Sequence, residues 1–194
     1  MPHINRVRVN NVRYNFGTQF YDDFIMRFDC KNVLYDLANG GGKSVLLLLL
    51  LQNLIPNCTL DDKQPVEKLF RGSNGSTVIH SLIEWKLDDY LVKDDYRYML
   101  TGFCARKAKE DESQNAAKDA AAIEYFNYVI FYRHYNDNDI VNLPLSDGKE
   151  RITWPGLKNY IRNLSRKDYQ LQVHLFERKG PIIRCYPRCH PAST

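Results

Sequence analysis

Three consecutive glycines followed by lysine and serine, Gly40-Gly41-Gly42-Lys43-Ser44, constrain this chain more than any other feature. Glycine enters the left-handed backbone region without a Cβ clash, so a glycine run makes a tight turn whose N–H groups converge. Behind it, residues 45–51 are one valine and six leucines, and the run meets the polar Gln52 and Asn53 at once. That is far short of the roughly 20 apolar residues a membrane span needs. It reads as a buried helix over residues 42–54, ended by Ile55-Pro56-Asn57 because the residue before a proline is driven out of the helical region. A helix that starts at a glycine turn offers an anion unpaired N–H groups and the positive end of its dipole. Lys43 then supplies a charge to the β- and γ-phosphates of a nucleotide, and the Ser44 hydroxyl a ligand for its Mg2+. The usual spacing, G-x-x-x-x-G-K-[ST], puts a first glycine at position 37, where this chain has Leu37.

The rest of the chain reads as strands around that loop. Val7 and Val9 alternate with Arg6, Arg8 and Asn10, the period-2 pattern of a half-buried strand over residues 4–12 with a basic outer face. A second strand is expected over 24–28, and a third, apolar at Val33, Leu34 and Tyr35, over 31–36, running straight into the glycines. Downstream come a short helix at 63–70, a loop at 71–76, and two strands of a meander at 77–87 and 97–106. Residues 107–122 fit a mobile loop or a poorly anchored helix, and residues 125–135 a further strand. A helix over 154–164 starts at a Thr153 cap with Pro155 at its beginning. Pro181, Pro187 and Pro191 mark an irregular tail over 181–194, which leaves residues 1–180 as one lobe.

Charge is unevenly placed. The net value is only +4, yet residues 151–194 hold nine basic and two acidic side chains, whereas the first 150 residues are slightly acidic. Such an asymmetry points to a phosphate-rich partner near the C-terminal end. Five cysteines, an odd number in no framework spacing, fit a reduced cytoplasmic protein. Cys185, Cys189 and His190 lack a fourth zinc ligand at ordinary spacing, and Asn136 to Asp139 lack the glycine and glutamate of a calcium loop.

Asn39-Gly40-Gly41-Gly42-Lys43-Ser44 resembles the N-G-x-G-K-S loop of SMC, MukB and related chromosome-maintenance ATPases. Asn11-Val12-Arg13 is similar to the Asn-Phe-Arg-like tripeptide that ends the first strand in that family, whose arginine approaches the phosphates; Asn32 matches an asparagine near the adenine. Arg71-Gly72, Ile83-Glu84-Trp85 and Thr101-Gly102-Phe103 extend the likeness to about residue 110, on the side of MukB-type and plasmid-defence condensin-like heads. The resemblance implies an α/β fold: a P-loop NTPase half-head of ABC/SMC type, with a mixed sheet, an antiparallel meander and a central P-loop helix. It also implies ATP and Mg2+ as ligands, held by Asn39, Gly40, Gly41, Gly42, Lys43 and Ser44 with Arg13 and Asn32, Ser44 facing the metal. The implied partners are the C-terminal half of the same head, a second head in a dimer, and DNA; no membrane is expected. Arg6, Arg8 and Arg13 would present charge to a duplex.

Hydrolysis needs more than this loop: an acidic residue at a strand end to hold Mg2+ and a carboxylate to orient water. The strand over 125–135 ends in Arg133-His134-Tyr135, and Glu84, followed by Trp85 and Lys86, reads as a surface charge. The sequence therefore implies a head segment incomplete for catalysis. Two alternatives stand beside it, a stand-alone P-loop NTPase or kinase, and a non-catalytic interaction module that keeps the loop as structure.

Overall fold

The computed structural model describes residues 2–15, 17–55, 66–70, 77–88, 95–107, 123–147, 150–167 and 171–178. In chain order these form β1 (His3–Tyr14), β2 (Gln19–Arg27), α1 (Lys43–Leu54), a 3-10 turn (Val66–Phe70), β3 (Val78–Lys86), β4 (Tyr98–Lys107), β5 (Ile123–Tyr132), a two-residue hairpin of β6 (Ser146–Asp147) and β7 (Glu150–Arg151), α2 (Trp154–Lys167) and β8 (Gln172–Arg178). Six strands make one sheet in the order β2-β1-β3-β4-β5-β8, and each neighbouring pair is antiparallel.

This overturns the expected fold class. A P-loop NTPase half-head with a mixed sheet requires a parallel strand entering the glycines, and among the described residues none is present: the sheet is antiparallel throughout and carries only two short helices. The cause lies just after β2. Asp29 and Cys30 both take left-handed φ values, 49° and 60°, and the Phe28 and Asp29 N–H groups bond back to the Asn5 carbonyl, so the chain turns off the sheet edge. Residues 32–38 then run outside any strand, with Leu34 94% exposed. Three apolar side chains with no cross-strand neighbour gain nothing from extended pairing. After α1 the chain returns as β3, which pairs antiparallel with β1, Val7 opposite Ile83.

The sheet separates two apolar clusters. On one face Val7, Val9, Ile79, Ile83 and Phe103 meet Leu46, Leu48 and Leu49 of α1 and Phe70 of the 3-10 turn. On the other, Leu82, Leu100, Phe126, Tyr128 and Ile130 meet Ile140, Leu143, Leu145 and Leu157 and Ile161 of α2. β1 is thus covered on both sides, with Asn5 through Asn10 buried in unbroken succession, not half-buried as its alternation suggested. The β3-β4-β5 meander and the start of α2 lie close to their expected positions, and Thr153 Oγ1 accepts from the Gly156 N–H at 3.3 Å. β8 was not anticipated: its mixture of Gln, His and Arg with Val, Leu and Phe carries a weak period-2 signal. The expected segments over 71–76, 108–122 and 181–194 lie outside the described residues.

Candidate phosphate-binding loop

The turn that precedes α1 is built from alternating backbone hands. Gly40 and Gly42 are left-handed, at φ 81° and 82°, with Gly41 between them on the ordinary side. Such alternation gathers successive N–H groups into an anion-binding concavity, although the Gly41 N–H is already given to the Ala38 carbonyl at 2.9 Å and is not among the donors open to a ligand. Gly42 is also the N-cap of α1; it carries no side-chain cap, and no acidic residue sits in the first helical turn. The first helical bond runs from the Leu46 N–H to the Gly42 carbonyl, so the N–H groups between them have no partner within the helix. Leu37 is absent from the left-handed residues, so the loop forms without the positive φ that a glycine at 37 would allow.

Lys43 and Ser44 are exposed at the start of α1. The Lys43 Nζ donates to the Leu37 carbonyl at 2.6 Å, which folds the side chain back over its own loop. A phosphate would have to take the ammonium from that carbonyl. The backbone and side chains therefore fit a nucleotide phosphate: uncapped N–H donors, a lysine beside them and a serine hydroxyl in the first turn. Asn39 is exposed in the same turn.

The hairpin of β1 and β2 abuts this loop. The Tyr21 hydroxyl donates to the Gly41 carbonyl, and Asn15 Nδ2 to the Gly40 carbonyl at 3.4 Å. Arg13 lies one residue before Tyr14, its guanidinium 4.4 Å from the Phe20 ring centroid. Asn32 is exposed in the irregular segment ahead of the loop, and among the described residues no hydrogen bond ties it to the glycines. Comparison with protein-family models, curated proteins and solved structures returns no match.

Arg6 and Arg8 are not an outer basic face. Both side chains are about 7% exposed and lie under the segment that follows β5. Arg6 donates to both oxygens of Glu84, at 2.7 and 2.6 Å, and to Asp139 Oδ2 at 3.1 Å, with the Tyr135 ring 4.3 Å away. Glu84, expected at the surface, is fully buried; it also accepts from Asn5 Nδ2 at 2.6 Å and from the Tyr132 hydroxyl. Burial opposes the charge on Arg6, but the bonds and attraction of Glu84, then Asp139, win and raise its pKa. Burial alone would raise Asp23, but the hydrogen bond from Arg8 overcomes it and holds that carboxyl below its ordinary range. The other Arg8 nitrogen donates to the carbonyls of Ile140, Val141 and Leu143 at 2.9–3.1 Å. The signal for this arrangement was the apolar alternation Val141, Leu143, Leu145 after the Asn-Asp turn, which returns the segment to the core.

Among the described residues no group of three His, Cys, Asp or Glu side chains is placed to hold a metal ion. None of their helices is long and apolar enough to cross a membrane.

Proposed function

We propose that this chain binds the phosphates of ATP with its Mg2+ through Asn39, Gly40, Gly41, Gly42, Lys43 and Ser44, as the nucleotide-holding segment of an SMC-like ATPase of the cytoplasm. The observation that carries it is the pair of left-handed glycines leading into an uncapped helix with Lys43 alongside. Lys43 neutralises the terminal phosphates, the loop N–H groups orient them, and Ser44 meets the metal.

The same residues stop short of hydrolysis. Glu84 and Asp139 are committed to Arg6. The missing carboxylates would come from a C-terminal half and from a second copy of the head, with the exposed Val33, Leu34 and Tyr35 facing that completing segment. A DNA contact, if this assembly has one, falls to the basic stretch over 151–194, because Arg6 and Arg8 are buried. A second reading, a loop kept as structure in an interaction module, is favoured by the Lys43 bond to the Leu37 carbonyl, which satisfies the lysine without a ligand.

Titration calorimetry with Mg-ATP decides between the two. Lys43→Ala is expected to lose binding while melting as the wild type does, because the exposed lysine contributes charge and no core packing. Equal affinity in both proteins would remove nucleotide binding at this loop.

A further inference from the structure

Three residues of the β1–β2 hairpin lean on the glycine loop. Asn15 Nδ2 bridges Gln19 Oε1, at 2.9 Å, and the Gly40 carbonyl. The Tyr14 and Tyr21 rings stack with centroids 4.8 Å apart. A Cβ at Gly42 would stand 2.8 Å from the Tyr21 hydroxyl and 2.9 Å from Tyr14 Cζ, so the two rings press against the Gly42 backbone and admit no side chain there. The Tyr21 hydroxyl closes the set by donating to the Gly41 carbonyl.

That bond fixes more than an oxygen. The Gly41 carbonyl and the Gly42 N–H belong to one planar trans peptide and point in opposite directions. In a glycine run nothing intrinsic decides which way such a plane faces. A carbonyl turned toward the ligand would repel a phosphate, and an N–H turned toward it would bind. We infer that Tyr21 is a positioning residue for the phosphate site: by holding the Gly41 carbonyl against the hairpin it turns the Gly42 N–H away from the hairpin, to where a phosphate is received. The Tyr14 ring is the stop behind it. This rests on the phosphate-binding role given to the loop above. Burial, with the neighbouring Tyr14 hydroxyl, holds the Tyr21 hydroxyl above the ordinary tyrosine range, so it remains a donor throughout the physiological pH range. The hairpin thereby imposes from outside the loop shape that a glycine at position 37 would help set from within.

The test uses the full chain with 15N-labelled glycine, titrated with Mg-ATP and separately with inorganic pyrophosphate. Tyr21→Phe removes one hydroxyl and keeps the ring. It is expected to melt as the wild type does, to shift the Gly42 amide resonance in the free protein, and to bind both ligands about five- to tenfold more weakly. Tyr160→Phe, which removes a hydroxyl from the other face of the sheet, is expected to bind as the wild type does. Unchanged affinity in Tyr21→Phe, with affinity lost in Lys43→Ala, overturns the positioning role and leaves the loop's function standing. No binding by the wild type, or equal binding by Lys43→Ala, overturns the loop's function and this role with it. If Tyr21→Phe does not fold, the wild type alone decides: a Gly42 amide that stays put while Lys43-dependent pyrophosphate binding saturates overturns the proposal.

Discussion

His80 sits 1% exposed in β3, opposite Asn10 on one side and Cys104 on the other, and its Nδ1 has no hydrogen-bond partner among the described residues. Burial, then the positive charges of Arg8 and Arg151, push its pKa from the ordinary 6.5 down to about 3, against a smaller opposing pull from Asp23. The folded chain therefore refuses a proton that the unfolded chain accepts between those two values. Stability from the neutral imidazole is fully present above pH 6.5 and is lost as pH falls toward about 3. Asp23, held low by Arg8, acts with the same sign: its carboxylate stabilises above the unfolded pKa and loses that effect in acid. Chemical denaturation from pH 7 to pH 3.5 is expected to show the midpoint falling, and His80→Gln to make the fall shallower while leaving the contribution of Asp23. Parallel curves for the two proteins would mean that His80 is protonated in the fold.

Between β4 and β5 the Tyr128 ring lies over its cross-strand partner Gly102. A Cβ at Gly102 would stand 2.1 Å from Tyr128 Cζ, and that ring is fully buried, with no room to retreat. Gly102→Ala is expected to destabilise by about 1–3 kcal/mol, the range for overpacking a filled core, read as a lower denaturant midpoint with unchanged m. The loss should shrink in a Tyr128→Val background; full additivity of the two changes would disprove the clash. The same scale shows what was legible in the sequence. The β3-β4-β5 meander and α1 are local patterns, alternation and a leucine run bounded by turn residues, and these were readable. The segment 31–36 looked like a strand because Val33, Leu34 and Tyr35 are apolar, but a strand exists only where a neighbour pairs with it, and the left-handed Asp29 and Cys30 lead the chain away. That a helix starts at Lys43 and Ser44 was legible because glycines punctuate the chain locally. Tyr21 was not, since its bond to Gly41 joins residues 20 positions apart.

Among the described residues the least covered apolar stretch is Val33, Leu34 and Tyr35, at 43%, 94% and 39% exposure. Exposed apolar clusters of this kind drive association when nothing covers them. Leu34→Lys is expected to reduce concentration-dependent light scattering by the purified chain and to alter unfolding free energy by no more than about 0.5 kcal/mol, as for other surface positions. Scattering that is unchanged would place self-association elsewhere, at the outer edge of β2 or β8. The ion cluster under the 136–145 segment bears on how the molecule comes apart. Arg6 and Asp139 are 133 residues apart in the chain, and their bond cannot close until β3, β4 and β5 stand between them in register. A contact made after the folding barrier has been crossed leaves the rate of folding untouched and governs the rate of escape. The Arg6–Asp139 bond, unlike the direct cross-strand pair of Arg6 with Glu84, is thus expected to bear on the lifetime of the folded chain more than on the speed with which it is reached.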